Sequence, residues 1–275
     1  MLSCGQFQFD LSRPLVMGIV NVTPDSFSDG GLYRRRDAAI SHALQLIAEG
    51  ADIIDIGGES TRPGAIPVSV QQELDRVLPI IEGLSGITVP ISIDTFKPEV
   101  MQAAIAAGVK IINDINGLQN ESALRVVAAS TVAVCMMHKQ GDPKTMQLQP
   151  EYGNVVAEVA AFLRERIAVA EATGISRQRI IVDPGFGFGK TLPHNLALLR
   201  ELDKFTELGV TVLAGLSRKS MLGMLTGQDV GQRISASVAA ALIAVQRGAN
   251  IVRVHDVQAT VDALKIWNAI KGELT

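Results

Sequence analysis

Residues 14–31 put more functional groups on one loop than a connector needs. An apolar run ends at Val20. After it come an amide (Asn21), three hydroxyls (Thr23, Ser26, Ser28), two carboxylates (Asp25, Asp29) and one apolar tip (Phe27). Connections in compact domains are typically about 4–6 residues long, and a longer, polar one points to binding. A similar stretch runs Glu59-Ser60-Thr61-Arg62-Pro63-Gly64, and polar residues close further apolar runs at Asp94, Asn113-Asp114, His138, Asp183, Ser217-Arg218-Lys219-Ser220 and Arg253-Val254-His255. These groups sort by charge. Asp94, Asn113 and Asp183 can accept from a ligand edge rich in N–H donors, as on a planar aminopyrimidinone, and Lys219 can donate to its carbonyl or ring nitrogen. Arg253, His255, Arg62 and Thr61 suit phosphate oxygens. Asn21 could add an oxygen ligand for Mg²⁺, which takes few protein ligands when phosphates supply the rest. The set suits a ring at one end and a phosphate leaving group at the other.

These residues need a scaffold that brings them to one rim. Short apolar runs at 15–20, 52–56, 88–93, 109–115, 131–137, 179–183, 210–214 and 250–254 read as strands buried on both faces. Helix-period segments, such as 34–49, 70–85, 97–107, 154–173 and 232–247, lie between them. Eight strand–helix units predict an α/β fold, a (β/α)8 barrel, whose chemistry collects at the C-terminal ends of the strands. An open doubly wound sheet would need a phosphate loop after its first strand, and residues 21–31 lack one. Residues 5–13 are expected to add a short β-hairpin before the barrel, and residues 1–275 to form one domain.

The chain has 275 residues, 47% apolar and 19% charged, with a net charge of −3. That balance describes a large core and offers no basic field for nucleic acid or anionic lipid. No apolar run approaches the roughly 20 residues of a membrane span, and no basic segment followed by an apolar one marks a secretory signal. Two cysteines, Cys4 and Cys135, suggest neither a disulfide framework nor a zinc site. Residues 185–191 nearly match a phosphate-binding glycine loop ending in Lys190, but its leading glycine position holds Pro184. Asp55, inside an apolar strand, reads as a structural carboxylate that must find partners. His42 falls in a helical pattern. His255 shares a strand face with Arg253.

In order and spacing, residues 21–31, 55–64, 92–95, 113–114, 183–188, 217–220 and 253–255 resemble the dihydropteroate synthase family, pterin-binding enzymes of folate biosynthesis. The likeness covers nearly the whole chain. It implies a TIM barrel, usually a homodimer in the cytoplasm, that joins 6-hydroxymethyl-7,8-dihydropterin diphosphate to p-aminobenzoate and releases diphosphate with Mg²⁺ as cofactor. By the same resemblance, Asp94, Asn113, Asp183 and Lys219 would hold the pterin. Asn21, Thr61, Arg62, Arg253 and His255 would hold the diphosphate, with Mg²⁺ at Asn21. Phe27, Arg62, Pro63, Phe188, Lys219 and Ser220 would frame the aminobenzoate, and Asp94, Lys219, Arg253 and His255 would carry the catalysis. A pterin-binding methyltransferase barrel is the alternative, but it would not need the loop at 24–31 or the diphosphate group at Arg253 and His255. A sugar-phosphate aldolase would need a Schiff-base lysine, for which Lys219 is the rim candidate.

Residues 25–31 and 57–64, rich in Gly, Pro and polar groups, are expected to order only around ligand. Aminobenzoate should therefore bind more tightly by roughly 1–3 kcal/mol when pterin, diphosphate and Mg²⁺ are present. Calorimetry with and without diphosphate measures this, and equal affinities would refute the coupling.

Overall fold

In the computed structural model, residues 1–22, 32–60, 65–141, 146 and 149–272 are described, with backbone alone for 32–34. Two short strands come first, β1 (Leu2–Cys4) and β2 (Phe7–Phe9). Eight more follow: β3 (Leu15–Asn21), β4 (Ile53–Gly57), β5 (Ile91–Asp94), β6 (Ile111–Asp114), β7 (Ala133–Met137), β8 (Ile180–Asp183), β9 (Thr211–Ala214) and β10 (Ile251–Val254). The eight pair in parallel in the order β10-β3-β4-β5-β6-β7-β8-β9 and close on themselves. Helices α1 (Leu32–Ala48), α2 (Val70–Gly83), α3 (Pro98–Ala106), α4 (Glu121–Ala128), α5 (Val155–Ala172), α6 (Leu192–Arg200), α7 (Asp203–Thr206), α8 (Ser220–Thr226), α9 (Ile234–Gln246) and α10 (Val257–Lys271) alternate with them. This is the expected (β/α)8 barrel. Local signals set the helix starts. Ser69 and Gln72 form a capping box on α2, and Asn120 and Asn154 cap α4 and α5. Among the described residues no helix is long and apolar enough to cross a membrane.

The two-residue strand period divides the core in two. Val16, Val20, Ile54, Ile56, Ile93, Ile112, Val134, Met136, Val182, Val212 and Val252 point outward and pack with the helices. Their neighbours Leu15, Met17, Ile53, Ile111, Ala133, Cys135, Ile181, Leu213 and Ile251 form a separate cluster inside the barrel. Continuing the inward parity toward the strands' C-terminal ends gives Asn21, Asp55, Asp94, Asn113, Asp183 and Arg253. The barrel is thus apolar low down and polar at its mouth.

The hairpin differs from the expectation over residues 5–13. It pairs Leu2 with Phe9 and Cys4 with Phe7, and turns at Gly5 with φ +60°. The cause is burial. Leu2 and Cys4, both fully buried, join the inner cluster with Phe7, Phe9 and Leu11 around them, so the hairpin plugs the barrel floor. Residues 10–13 form the link instead. Asp10 accepts from the Ser12 amide, and Arg13 donates two hydrogen bonds to the Asp52 carboxylate, at 2.6 and 3.2 Å.

Removing the side chain at the centre of the plug should therefore loosen the inner cluster. Leu2→Ala is expected to cost about 2–5 kcal/mol in urea unfolding. A loss below roughly 1 kcal/mol would mean that the hairpin does not seal the floor.

Candidate functional site

Six strand ends deliver the polar groups of the mouth. Arg253, the third residue of β10, donates from Nε to Asp55 Oδ2 at 2.6 Å and from Nη2 to Asp94 Oδ2 at 2.9 Å. Asn113 Nδ2 donates to the same Asp55 oxygen at 3.2 Å. Asp183 Oδ1 accepts from the Gly185 amide at 2.7 Å. Two glycines mark how closely these groups approach. A Cβ on Gly215 would sit 3.8 Å from Asp183 Oδ2, 3.9 Å from Arg253 Cβ and 4.0 Å from Lys219 Nζ. A Cβ on Gly57 would sit 3.6 Å from Asp94 Cβ and 3.7 Å from Asn21 Oδ1. The missing side chains leave room where the ionic groups converge. Asp55 Oδ1 and Ser92 Oγ, on residues opposite each other in the β4–β5 register, are buried and make no hydrogen bond among the described residues.

The electrostatics follow from burial. Desolvation pushes Asp94 up to about 7, with Asp55, Glu73 and Asp114 adding to it and Arg253 opposing it. Burial also raises Asp183, against the pull of Lys219, the Gly185 amide, Lys190 and Arg253. Lys219 is lowered to about 8 by burial, which outweighs Asp183. For Arg253, burial works against the charge, but Asp55 and Asp94 outweigh it and hold the guanidinium above its usual range. The mouth holds acceptors and donors at close range, as recognition of a planar, hydrogen-bonding ring requires.

Lys219 sits at the residue preceding α8, and its side chain does not cap the helix. Its ammonium donates to the Phe186 carbonyl and lies 4.9 Å from the centroid of the Phe188 ring. It is placed by Arg218, one of two non-glycine residues with a left-handed backbone among those described, at φ +57°. Arg218 is held by Asp256 at 2.5 and 3.0 Å, and by its own amide donating to Ser237 Oγ. The strained turn is thus fixed from both flanks. On its other side, Ser217 Oγ lies 3.0 Å from His255 Nδ1 and accepts from the His255 amide. Ser220 is exposed at the first position of α8.

The structure therefore gathers Asp94, Asn113, Asp183, Lys219 and Arg253 at one mouth. It places Asn21 beside Asp94, Phe188 beside Lys219, and His255 beside Ser217. Phe27, Thr61, Arg62 and Pro63 lie outside the described residues. Two features were not read as parts of the site from the sequence. Asp55 is an intimate partner of Arg253 and Asn113, and its place two residues before Gly57 on the inward face was the available signal. Lys97 joins Glu59 and Glu73, and Glu59 Oε1 also accepts from the Val68 amide at 3.3 Å. No local pattern links those four residues.

The pterin binding enzyme family matches residues 17–255. A dihydropteroate synthase of Neisseria meningitidis serogroup B is 53% identical over 273 residues, covering 97% of this chain and 96% of the relative. A solved Xanthomonas albilineans dihydropteroate synthase with 4-aminobenzoic acid superposes with a TM-score of 0.93 at 55% identity, covering 98% of this chain and 97% of that one. The same protein in complex with 7,8-dihydropteroate gives 0.90 at 52% identity, covering 98% of each.

The position of Asp94 has a consequence for stability. Its folded value of about 7 lies above the ordinary carboxylate value of 3.8. The folded state therefore holds the extra proton between these limits, and stability falls as pH rises through that window. Asp94→Asn should stabilise the free protein at pH 8 by about 1 kcal/mol or more, with the gain vanishing near pH 4. Thermal unfolding across pH measures it, and a pH-independent difference would refute the assignment.

Proposed function

Since the chain belongs to the pterin-binding enzyme family, and within it to the dihydropteroate synthases, we propose how its residues carry the reaction. The enzyme is a transferase of folate biosynthesis that forms a C–N bond, joining 6-hydroxymethyl-7,8-dihydropterin diphosphate to p-aminobenzoate to give 7,8-dihydropteroate and diphosphate. The observation that carries the residue assignment is the convergence of Asp183, Lys219 and Arg253 on Gly215, with Asp94 and Asn113 on the adjoining strands. Asp183 and Asn113 would take the amino and imino edge of the pterin, and Lys219 its carbonyl or ring nitrogen. Asp94 would face the positive charge that develops on the ring.

The substitution is dissociative in this reading. As the methylene–oxygen bond breaks, negative charge grows on the leaving diphosphate, and Arg253 and His255 would stabilise it together with Thr61 and Arg62. Ionised Asp94 would stabilise the pterin cation left behind. The aniline nitrogen of p-aminobenzoate, framed by Phe188, Ser220 and Lys219 with Phe27, Arg62 and Pro63, then attacks without a strong general base. Asn21, with its oxygen at the lip beside Asp94, fits an Mg²⁺ ion coordinated mainly by diphosphate and water, which needs one or two protein oxygens. Bound there, the ion would supply further neutralisation of the leaving group. The chain would work as one domain and as a homodimer, for which exposed Leu225, Val230 and Ile234 offer apolar surface. A cytoplasmic location agrees with the two buried free cysteines.

Incubation with the pterin diphosphate, p-aminobenzoate and Mg²⁺ should yield dihydropteroate by mass, and its absence would end the reading. Asp183→Asn should weaken pterin binding in calorimetry by about 1.5–3 kcal/mol, because it loses charge-assisted acceptance. Unchanged affinity would remove Asp183 from the site. Arg253 also pairs Asp55 and Asp94, so the leaving-group role is better read at His255. His255→Ala should lower kcat on the order of 10²-fold and hardly change the affinity of a pterin without phosphates. Equal losses for both ligands would mark the damage as structural.

A further inference from the structure

Lys190 ends the glycine-rich loop after β8 and is only 3% exposed. Its Nζ lies 2.9 Å from the Gly185 carbonyl, 3.0 Å from that of Phe188, 3.4 Å from that of His138 and 3.0 Å from His138 Nδ1. An ammonium has three donors and no acceptor, so a cage of carbonyls and a neutral imidazole suits it. His138 is lowered to about 3 by burial and by Lys190, which leaves its ring neutral and Nδ1 able to accept. Burial draws Lys190 itself down to about 7, with Asp183 pulling it up and Lys219 pushing it further down. The loop presses tightly on the end of β7. A Cβ on Gly185, at φ +71°, would sit 1.9 Å from the His138 carbonyl oxygen. The hydroxyl of Tyr152 adds a tether, donating to the Gly189 carbonyl at 2.9 Å.

The same loop meets the mouth. The Phe186 carbonyl accepts from Lys219, the Phe188 ring lies beside that ammonium, and the Gly185 amide binds Asp183. Resting on the assignment of Lys219 and Asp183 to the pterin pocket, we propose that Lys190 is a positioning residue. It gathers the carbonyls of residues 138, 185 and 188 so that the loop presents Phe186 and Phe188 to Lys219. Its charge also opposes the burial that raises Asp183. Lys190 thus binds main-chain oxygens of its own loop, where the near-match to a phosphate loop would have placed a nucleotide phosphate.

Lys190→Met keeps an unbranched side chain one atom shorter and removes the donors. Amide exchange in residues 185–190 should then quicken at least about tenfold while β3 to β6 keep their protection. Pterin affinity should fall about tenfold in calorimetry. Lys190→Gln, which retains two N–H donors, should recover part of both. Unchanged exchange and affinity in folded Lys190→Met would overturn the proposal, as would failure of both variants to fold, which would make Lys190 a folding residue. Wild-type protein that binds no pterin would instead overturn the pocket assignment, and the exchange measurement, made without ligand, would still judge Lys190.

Discussion

Asp55, Asp94 and Asp183 stand inside one ring of strands, where leaving a carboxylate unpaired is costly. Arg253 makes this tolerable by bonding two of them at once, and Lys219 faces the third. A shared guanidinium is better suited to this than a lysine, because its planar fork reaches two acceptors in fixed directions and remains charged under burial. The arrangement still carries strain, visible in the raised Asp94 and the lowered Lys219. Such opposed shifts in one mouth are expected where a ligand completes the hydrogen bonding that the protein alone leaves partly unmet.

The barrel carries this strain because its other parts are conservative. The inner cluster below the mouth is wholly apolar, and the N-terminal hairpin covers it from beneath. The outer cluster between strands and helices is larger and equally apolar. Polar residues inside the strands are confined largely to the last inward layer, so the cost of desolvation falls where it serves recognition. The loops above add rigidity by different means: a left-handed Arg218 clamped to Asp256, and the carbonyl cage around Lys190. Both orient Lys219 from opposite sides. The position of one ammonium is therefore set by two loops from neighbouring strands, which agrees with its contact to the Phe186 carbonyl.

Much of this was legible in the amino-acid order. Eight apolar runs alternating with helical segments specify strands buried on both faces and a parallel barrel, because residue type and period are local properties. The polar residue at each strand end was equally plain, and a period of two puts Arg253 and His255 on one face without any structure. The hairpin was placed three residues late, since nothing local reveals that Leu2 and Cys4 have a barrel floor to fill.

Which groups actually meet was decided only by the tertiary structure. Arg253 reaches Asp55 across 198 residues and Asp94 across 159. Those pairings exist because the sheet closes with β10 beside β3, a fact of register and shear that no window of sequence contains. The same holds for Lys190: Pro184 already argues against a phosphate loop there, but only the fold shows that His138, at the end of β7, completes its cage. Sequence by itself determined which faces are apolar and which strand ends are polar, because side-chain chemistry and backbone period act over a few residues. Closure of the barrel decided the partners, the shifted proton affinities and the buried cages, because these arise from desolvation and contact between distant segments.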